Sequence, residues 1–147
     1  MMKALLTRLF SPAPAPLTAP DAELALAALL VRLARADGAY DALEKLRIDR
    51  VLVARGGISG ASASALRTEA EAVEAEAPDT VRFTRALKDT VTHEDRAGVI
   101  EALWEVALAD GQREAHEEAL IRLVANLLGI NDRDSALARQ RVVARLG

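Results

Sequence analysis

The sequence predicts an all-α fold: a single-domain helical bundle of seven or eight helices with a pseudo-twofold repeat of helical hairpins. Three observations carry that prediction. Apolar residues recur at helical spacing, and no segment alternates convincingly at period two. Hydrophobic content is 51%, much of it Ala, Leu and Val, against only 3% aromatic residues, which suits close-packed helices better than sheet. One phrase is also written twice. Residues 36–44 read Ala-Asp-Gly-Ala-Tyr-Asp-Ala-Leu-Glu, and residues 109–117 read Ala-Asp-Gly-Gln-Arg-Glu-Ala-His-Glu. Each copy follows one long apolar run and opens another.

The elements follow in order. Lys3 to Phe10 predict a short amphipathic helix, because Arg8 interrupts the apolar stretch that a signal peptide needs. Residues 11–20 form a stiff Pro/Ala linker, so 1–20 are expected to stand apart from a domain over 21–147. The next helix starts near Pro20 and runs to Ala36. Leu24 to Val31 is apolar on every face, the mark of a surrounded helix. Asp37-Gly38 stops it. A helix from near Asp41 carries Leu43, Ile48, Val51 and Leu52 inward and ends at Arg55-Gly56-Gly57.

Ser59 to Ser64 is a turn and N-cap region. The helix after it, about 62–77, has the core stripe Leu66, Ala70, Val73 and Ala77, with Glu69, Glu71, Glu74 and Glu76 as a solvated face. Pro78-Asp79 breaks it. Residues 79–91 place Phe83, Leu87 and Val91 on one side. Thr92-x-x-Asp95 has capping-box spacing and opens a second all-apolar helix to Ala109, holding Val99, Ile100, Leu103, Trp104 and Val106. Asp110-Gly111 stops it. Residues 114–128 turn Leu120, Ile121, Val124, Leu127 and Leu128 inward, and Gly129 caps them. Asn131 or Asp132 opens a last helix to about Leu146.

A shift of 73 residues aligns the two halves. It places Leu30 on Leu103, Ala34 on Ala107, Asp37-Gly38 on Asp110-Gly111, Glu44 on Glu117, Ile48 on Ile121 and Val51 on Val124. Core positions, stop signals and acids stay in phase together, so a duplication is expected, with residues 29–53 equivalent to 102–126.

Bulk properties narrow the function. At 147 residues the chain fits one domain with a real core. The net charge of −3 gives no global field favouring nucleic acid. The absence of Cys excludes disulfides, thiol catalysis and Cys-ligated zinc, and fits a reducing, cytoplasmic setting. No charge-free apolar run approaches the ~18 residues of a membrane span, so no transmembrane segment is expected.

At its duplicated turns the sequence resembles the TerB-like family, named for tellurite-resistance protein B. The resemblance runs from about Asp21 to the C-terminus. It is carried by both Ala-Asp-Gly…Glu turns, by Arg82-Phe83-Thr84-Arg85 and by Leu103-Trp104-x-Val106-Ala107-x-Ala109-Asp110-Gly111. Leu127-Leu128-Gly129-Ile130 and Ala138-Arg139-Gln140-Arg141-Val142 extend it. It implies helical hairpins related by a pseudo-twofold, with the acids of the two turns lying near each other. It also implies divalent-metal binding, reported for some members, and kinship with a domain of a membrane-anchored DnaJ-like co-chaperone. The family has no established reaction.

The acids have two readings. Asp37, Asp41, Glu44, Asp110, Glu114 and Glu117 could together ligate a divalent cation such as calcium, zinc or manganese, because hard cations need several converging oxygens. An EF-hand is excluded, since its first ligand positions fall on Leu33 and Arg35 in one copy and on Val106 and Leu108 in the other. Alternatively the acids are structural. Asp41 and Glu44 have N-cap and N3 spacing, and first-turn acids suit the helix dipole. Asp37 and Asp110 sit at helix C-termini, where an acid opposes the dipole and calls for a basic partner or a cation.

Other candidates carry less. His93 and His116 lack the His-Glu-x-x-His zinc spacing and belong on solvated faces. Arg55 to Gly60 lacks the Lys and preceding strand of a phosphate loop. Arg133, Arg139, Arg141 and Arg145 make the last helix basic without interleaved aromatics, a poor nucleic-acid signature. Trp104 belongs to the core, and no nucleophile is paired with a base. The expected function is therefore a non-enzymatic stress-response or signalling module, with a divalent cation at the acidic turns. The alternative is a metal-free protein-interaction scaffold of co-chaperone type. A metal-dependent hydrolase is the third option.

Overall fold

The computed structural model describes residues 19–36, 38, 40–77, 79–109 and 115–146, and every element among them is a helix or a turn. Seven helices follow in order: α1 (Ala19–Arg35), α2 (Ala42–Gly56), α3 (Gly60–Glu76), α4 (Val81–Thr90), α5 (His93–Leu108), α6 (Ala115–Leu127) and α7 (Asp132–Leu146). The helix expected over 3–10 and the linker after it lie outside the described residues.

The two apolar runs form the centre. Ala27 to Val31 of α1 are fully buried, as are Ile100, Ala102 and Leu103 of α5, and these two helices pack on each other. α1 packs on α2 and α3 as α5 packs on α6 and α7, so the two halves repeat their contacts. The shared burial of Leu30 and Leu103, of Ile48 and Ile121, and of Val51 and Val124 follows the 73-residue shift.

The repeat extends one helix further than the sequence suggests. Gly57 and Gly129 both adopt positive φ, +63° and +76°, and end α2 and α6. Ser59 then accepts from Ser62 N at 3.1 Å, and Asn131 accepts from Asp134 N at 2.8 Å, so both third helices open on a side-chain cap. Ala63 and Ser135, and Ala70 and Val142, are buried at matching positions. These pairs are 72 apart rather than 73. One residue is lost between Val124, which lies 73 beyond Val51, and Gly129, which lies 72 beyond Gly57, and a fixed shift therefore loses the third pair. At Gly129 the amide donates to Asn126 O at 3.1 Å and the Ile130 amide donates to Ala125 O at 2.8 Å, which is a Schellman motif with Ile130 buried behind it.

Several sequence expectations are corrected. Leu43 is not inward; it is 54% exposed in the first turn of α2. α3 starts at Gly60 rather than near 62, because Ser59 is the residue that caps it. α4 spans Val81–Thr90 rather than 79–91, because Asp79 accepts from Val81 N at 3.0 Å and stays outside the helix. The acids of α3 are not a purely solvated face. Glu74 accepts from Arg32 Nε at 3.0 Å and from Arg35, and Glu71 accepts from Arg67 Nη1 at 2.9 Å and from the Tyr40 hydroxyl.

Arginines close the helix ends. Arg32 donates to the carbonyls of Glu74 at 3.3 Å and Ala77 at 2.9 Å, and to Thr80 Oγ1 at 3.3 Å, with its guanidinium 5.4 Å above the Phe83 ring. Arg96 donates to Lys88 O, Val91 O and Leu128 O at 3.0, 3.2 and 3.2 Å, tying the ends of α4 and α6 to the start of α5. Carbonyls that a helix end leaves unpaired are satisfied in both places by a cation that also suits the dipole.

Candidate functional site

Tyr40, just before α2, joins α1, α2 and α3. Its ring lies between Arg35 at 5.0 Å and Lys45 at 5.2 Å, and its hydroxyl donates to Glu71. Partial burial, then the Glu71 carboxylate, pushes the hydroxyl above its ordinary ionisation range. Burial raises Glu71 itself, but the Tyr40 hydroxyl and Arg67 outweigh it and hold that carboxyl below the usual glutamate range. Arg67 also donates to Asp49 at 2.7 Å, so one cluster joins the turn, α2 and α3.

Asp41 is exposed and caps α2, accepting from Glu44 N at 3.0 Å. The capping role read from its spacing is therefore present. Glu44 is half-buried, whereas Glu117, its counterpart in the repeat, is 5% exposed. Asp37, Asp110 and Glu114 lie outside the described residues. Among the described residues no group of three acids or histidines converges as a metal would require.

One groove is lined from both halves of the repeat. α2 packs on α5, with Arg55 of α2 beside Glu101 in the middle of α5. Leu43, two residues after Asp41, and Ala109, the residue before Asp110 in the sequence, line the same groove as Arg55 and Glu101.

That groove was not legible as a site in the sequence. It lies between α2 and α7 over α5 and encloses about 780 Å³. Glu101 and Glu105 occupy its floor, one helical turn apart. Arg55 donates to both, to Glu101 at 3.4 Å. Arg145 bridges both at 3.0 and 2.9 Å, and Arg141 donates to Glu101 at 3.0 Å. Burial raises Glu101, but hydrogen bonds from Arg141 and Arg145 more than compensate and leave it below the usual range. The basic character expected of the last helix is largely spent here: Arg141 and Arg145 face carboxylates, and Arg139 lies 5.6 Å over the buried Trp104 ring. The sequence signal was present as two i, i+4 pairs, Glu101/Glu105 and Arg141/Arg145, with the stripe Leu43, Arg47, Arg50 and Ala54 on α2.

No helix among the described residues is long and apolar enough to cross a membrane. No curated protein and no solved structure matches the chain. The family model described as "Tellurite resistance protein TerB" matches residues 23–140, from the first turns of α1 into α7, and the chain belongs to that family.

Proposed function

We propose that this chain is a non-enzymatic TerB-like module that takes a divalent cation where its two acidic turns meet. The observation that supports this reading is that a single groove is lined both by Leu43, two residues after Asp41 in the sequence, and by Ala109, the last described residue before the second turn. Asp37, Asp41 and Glu44 from one turn, with Asp110, Glu114 and Glu117 from the other, would supply the oxygens that calcium, manganese or zinc needs. The family's description, tellurite resistance, supports a stress-response setting.

Melting of the full chain with each cation tests this. A cation that binds only the folded form at a hundredfold excess over Kd stabilises by about 2.7 kcal/mol, a rise of roughly 5–11 °C for a domain of this size. Chelator reverses the rise, and Asp37→Asn with Asp110→Asn removes most of it while helix content stays unchanged. Overlaid curves with and without each cation would refute the reading and leave the acids structural.

A second reading, a protein-interaction scaffold, is favoured by the open groove between α2 and α7. Its arginine-rich lining and exposed leucines are those of a contact surface rather than a catalytic cleft. No acid/base pair there is free of an ion partner.

A further inference from the structure

The pseudo-twofold shows what the groove is shaped to hold. α4 packs on α1 and reaches across to α6. The repeat relates α1 to α5 and α6 to α2, so the counterpart of the α4 position lies on α5 and reaches α2. That position is the groove. One pair marks the correspondence: Arg32, beneath Phe83 of α4, is 73 residues before Glu105 on the groove floor. Among the described residues no helix fills this second position.

Its shape suits a helix of similar size. α4 has 10 residues and buries Phe83, Thr84, Ala86 and Leu87 on one face. The α2 wall from Leu43 to Ala54 rises through about 16 Å, roughly three turns. Val51 and Val142 give an apolar bed, and Leu43 and Leu146, 54% and 55% exposed, stand at the rim.

Charge selects the occupant. Arg55 and Arg145 are balanced by Glu101 and Glu105. Arg47 and Arg50, on the same α2 wall, have no carboxylate partner among the described residues. A protein of net charge −3 therefore presents a locally positive groove with two uncommitted guanidiniums. Arginine forks recognise carboxylates, and an amphipathic helix in such a groove is read through apolar anchors at i, i+3 and i+4.

We propose that the α2–α5–α7 groove binds a short acidic amphipathic helix of a partner protein, with Arg47 and Arg50 pairing its carboxylates and Leu43 and Leu146 covering its apolar face. This rests on the scaffold reading and names the chemistry of the partner.

The test uses the full chain and a fluorescein-labelled ten-residue peptide with leucines at the spacing of Phe83, Ala86 and Leu87 and glutamates elsewhere. Fluorescence anisotropy should show saturable binding. Arg47→Glu with Arg50→Glu should weaken it at least about tenfold, and so should Leu43→Asp. Circular dichroism and melting of these surface variants should match the parent protein. The same peptide with lysines for glutamates should bind at least about tenfold more weakly. If the lysine peptide binds equally or better, the groove is a docking site but its acidic specificity is refuted. A basic occupant, such as this chain's own residues 3–10, would then be indicated. If neither peptide binds saturably, both the scaffold reading and this inference fall.

Discussion

Replacing Arg32 by Ala should destabilise the protein by about 2–3 kcal/mol. The side chain makes four hydrogen bonds across three segments: to the Glu74 carboxylate, the Glu74 and Ala77 carbonyls and the Thr80 hydroxyl. Hydrogen bonds to charged groups each contribute about 1.5–3 kcal/mol, and severing a buried ion pair costs about 3–5 kcal/mol. The value here belongs below that upper range, because the two side chains retain 18% and 11% exposure and Arg35 still holds Glu74. Each kcal/mol moves the midpoint by roughly 2–4 °C for a chain of this length, so melting should fall by about 4–12 °C. Arg32→Lys keeps the charge but loses the fork, and should recover less than half. A double-mutant cycle with Glu74→Gln should give a coupling of about 1–2 kcal/mol. A loss under about 0.5 kcal/mol, the range of ordinary surface substitutions, would refute the reasoning. So would a loss equal to that of the unpartnered Arg50→Ala.

Tyr40→Phe removes the hydroxyl that joins the first turn to Glu71 and should cost about 1 kcal/mol in urea unfolding; no change would show that the bond adds nothing to water's. Gly129→Ala should cost about 1–2 kcal/mol because its φ is +76°, even though a Cβ there meets nothing within 4 Å. Gly60→Ala, in equally open space without positive φ, should be neutral or stabilising by up to about 1 kcal/mol, and similar midpoints for the two variants would contradict this. The acid limb has a definite sign. Glu71 and Glu101 are held below the usual glutamate range in the fold, so their stabilisation is present above the unfolded value of about 4.3 and is lost as pH falls through the lower folded value. Urea midpoints followed by Trp104 fluorescence should be flat from pH 7 to 5 and decline below about pH 4; a midpoint unchanged at pH 3 would refute this assignment.

Burial and helix ends were legible because they are local or periodic. The phase of Ile48, Val51, Ile121 and Val124 decides which face is inward, and glycine at positive φ decides where α2 and α6 stop. Leu43 was misread because its spacing fits the α2 stripe, yet it stands largely exposed on the groove wall. The acids of α3 were misread for a different reason. Glu71 and Glu74 meet arginines 4 and 42 residues away, and only tertiary packing brings the second of these together. The groove shows in the sequence only as separate i, i+4 spacings, because its walls come from α2 and α7 and its floor from α5, and packing alone brings them together.

A charge inversion within the repeat distinguishes the two α4-like positions: Arg32 stands at one and Glu105 at the other. In the first half the central helix carries Arg32, whose fork satisfies the carbonyls ending α3 and supports Phe83 from below. α4 can therefore fold back directly, and the chain crosses α1 within a few residues. In the second half the equivalent position is Glu105, an acceptor that cannot satisfy a helix C-terminus. It instead draws Arg55 from α2 and Arg145 from α7 into the groove floor. Those two arginines hold the walls to α5 and leave Arg47 and Arg50 uncommitted above them. A single reversal of sign at one core-adjacent position thus separates the two halves. One seats α4, and the other is, among the described residues, an open groove lined by arginines.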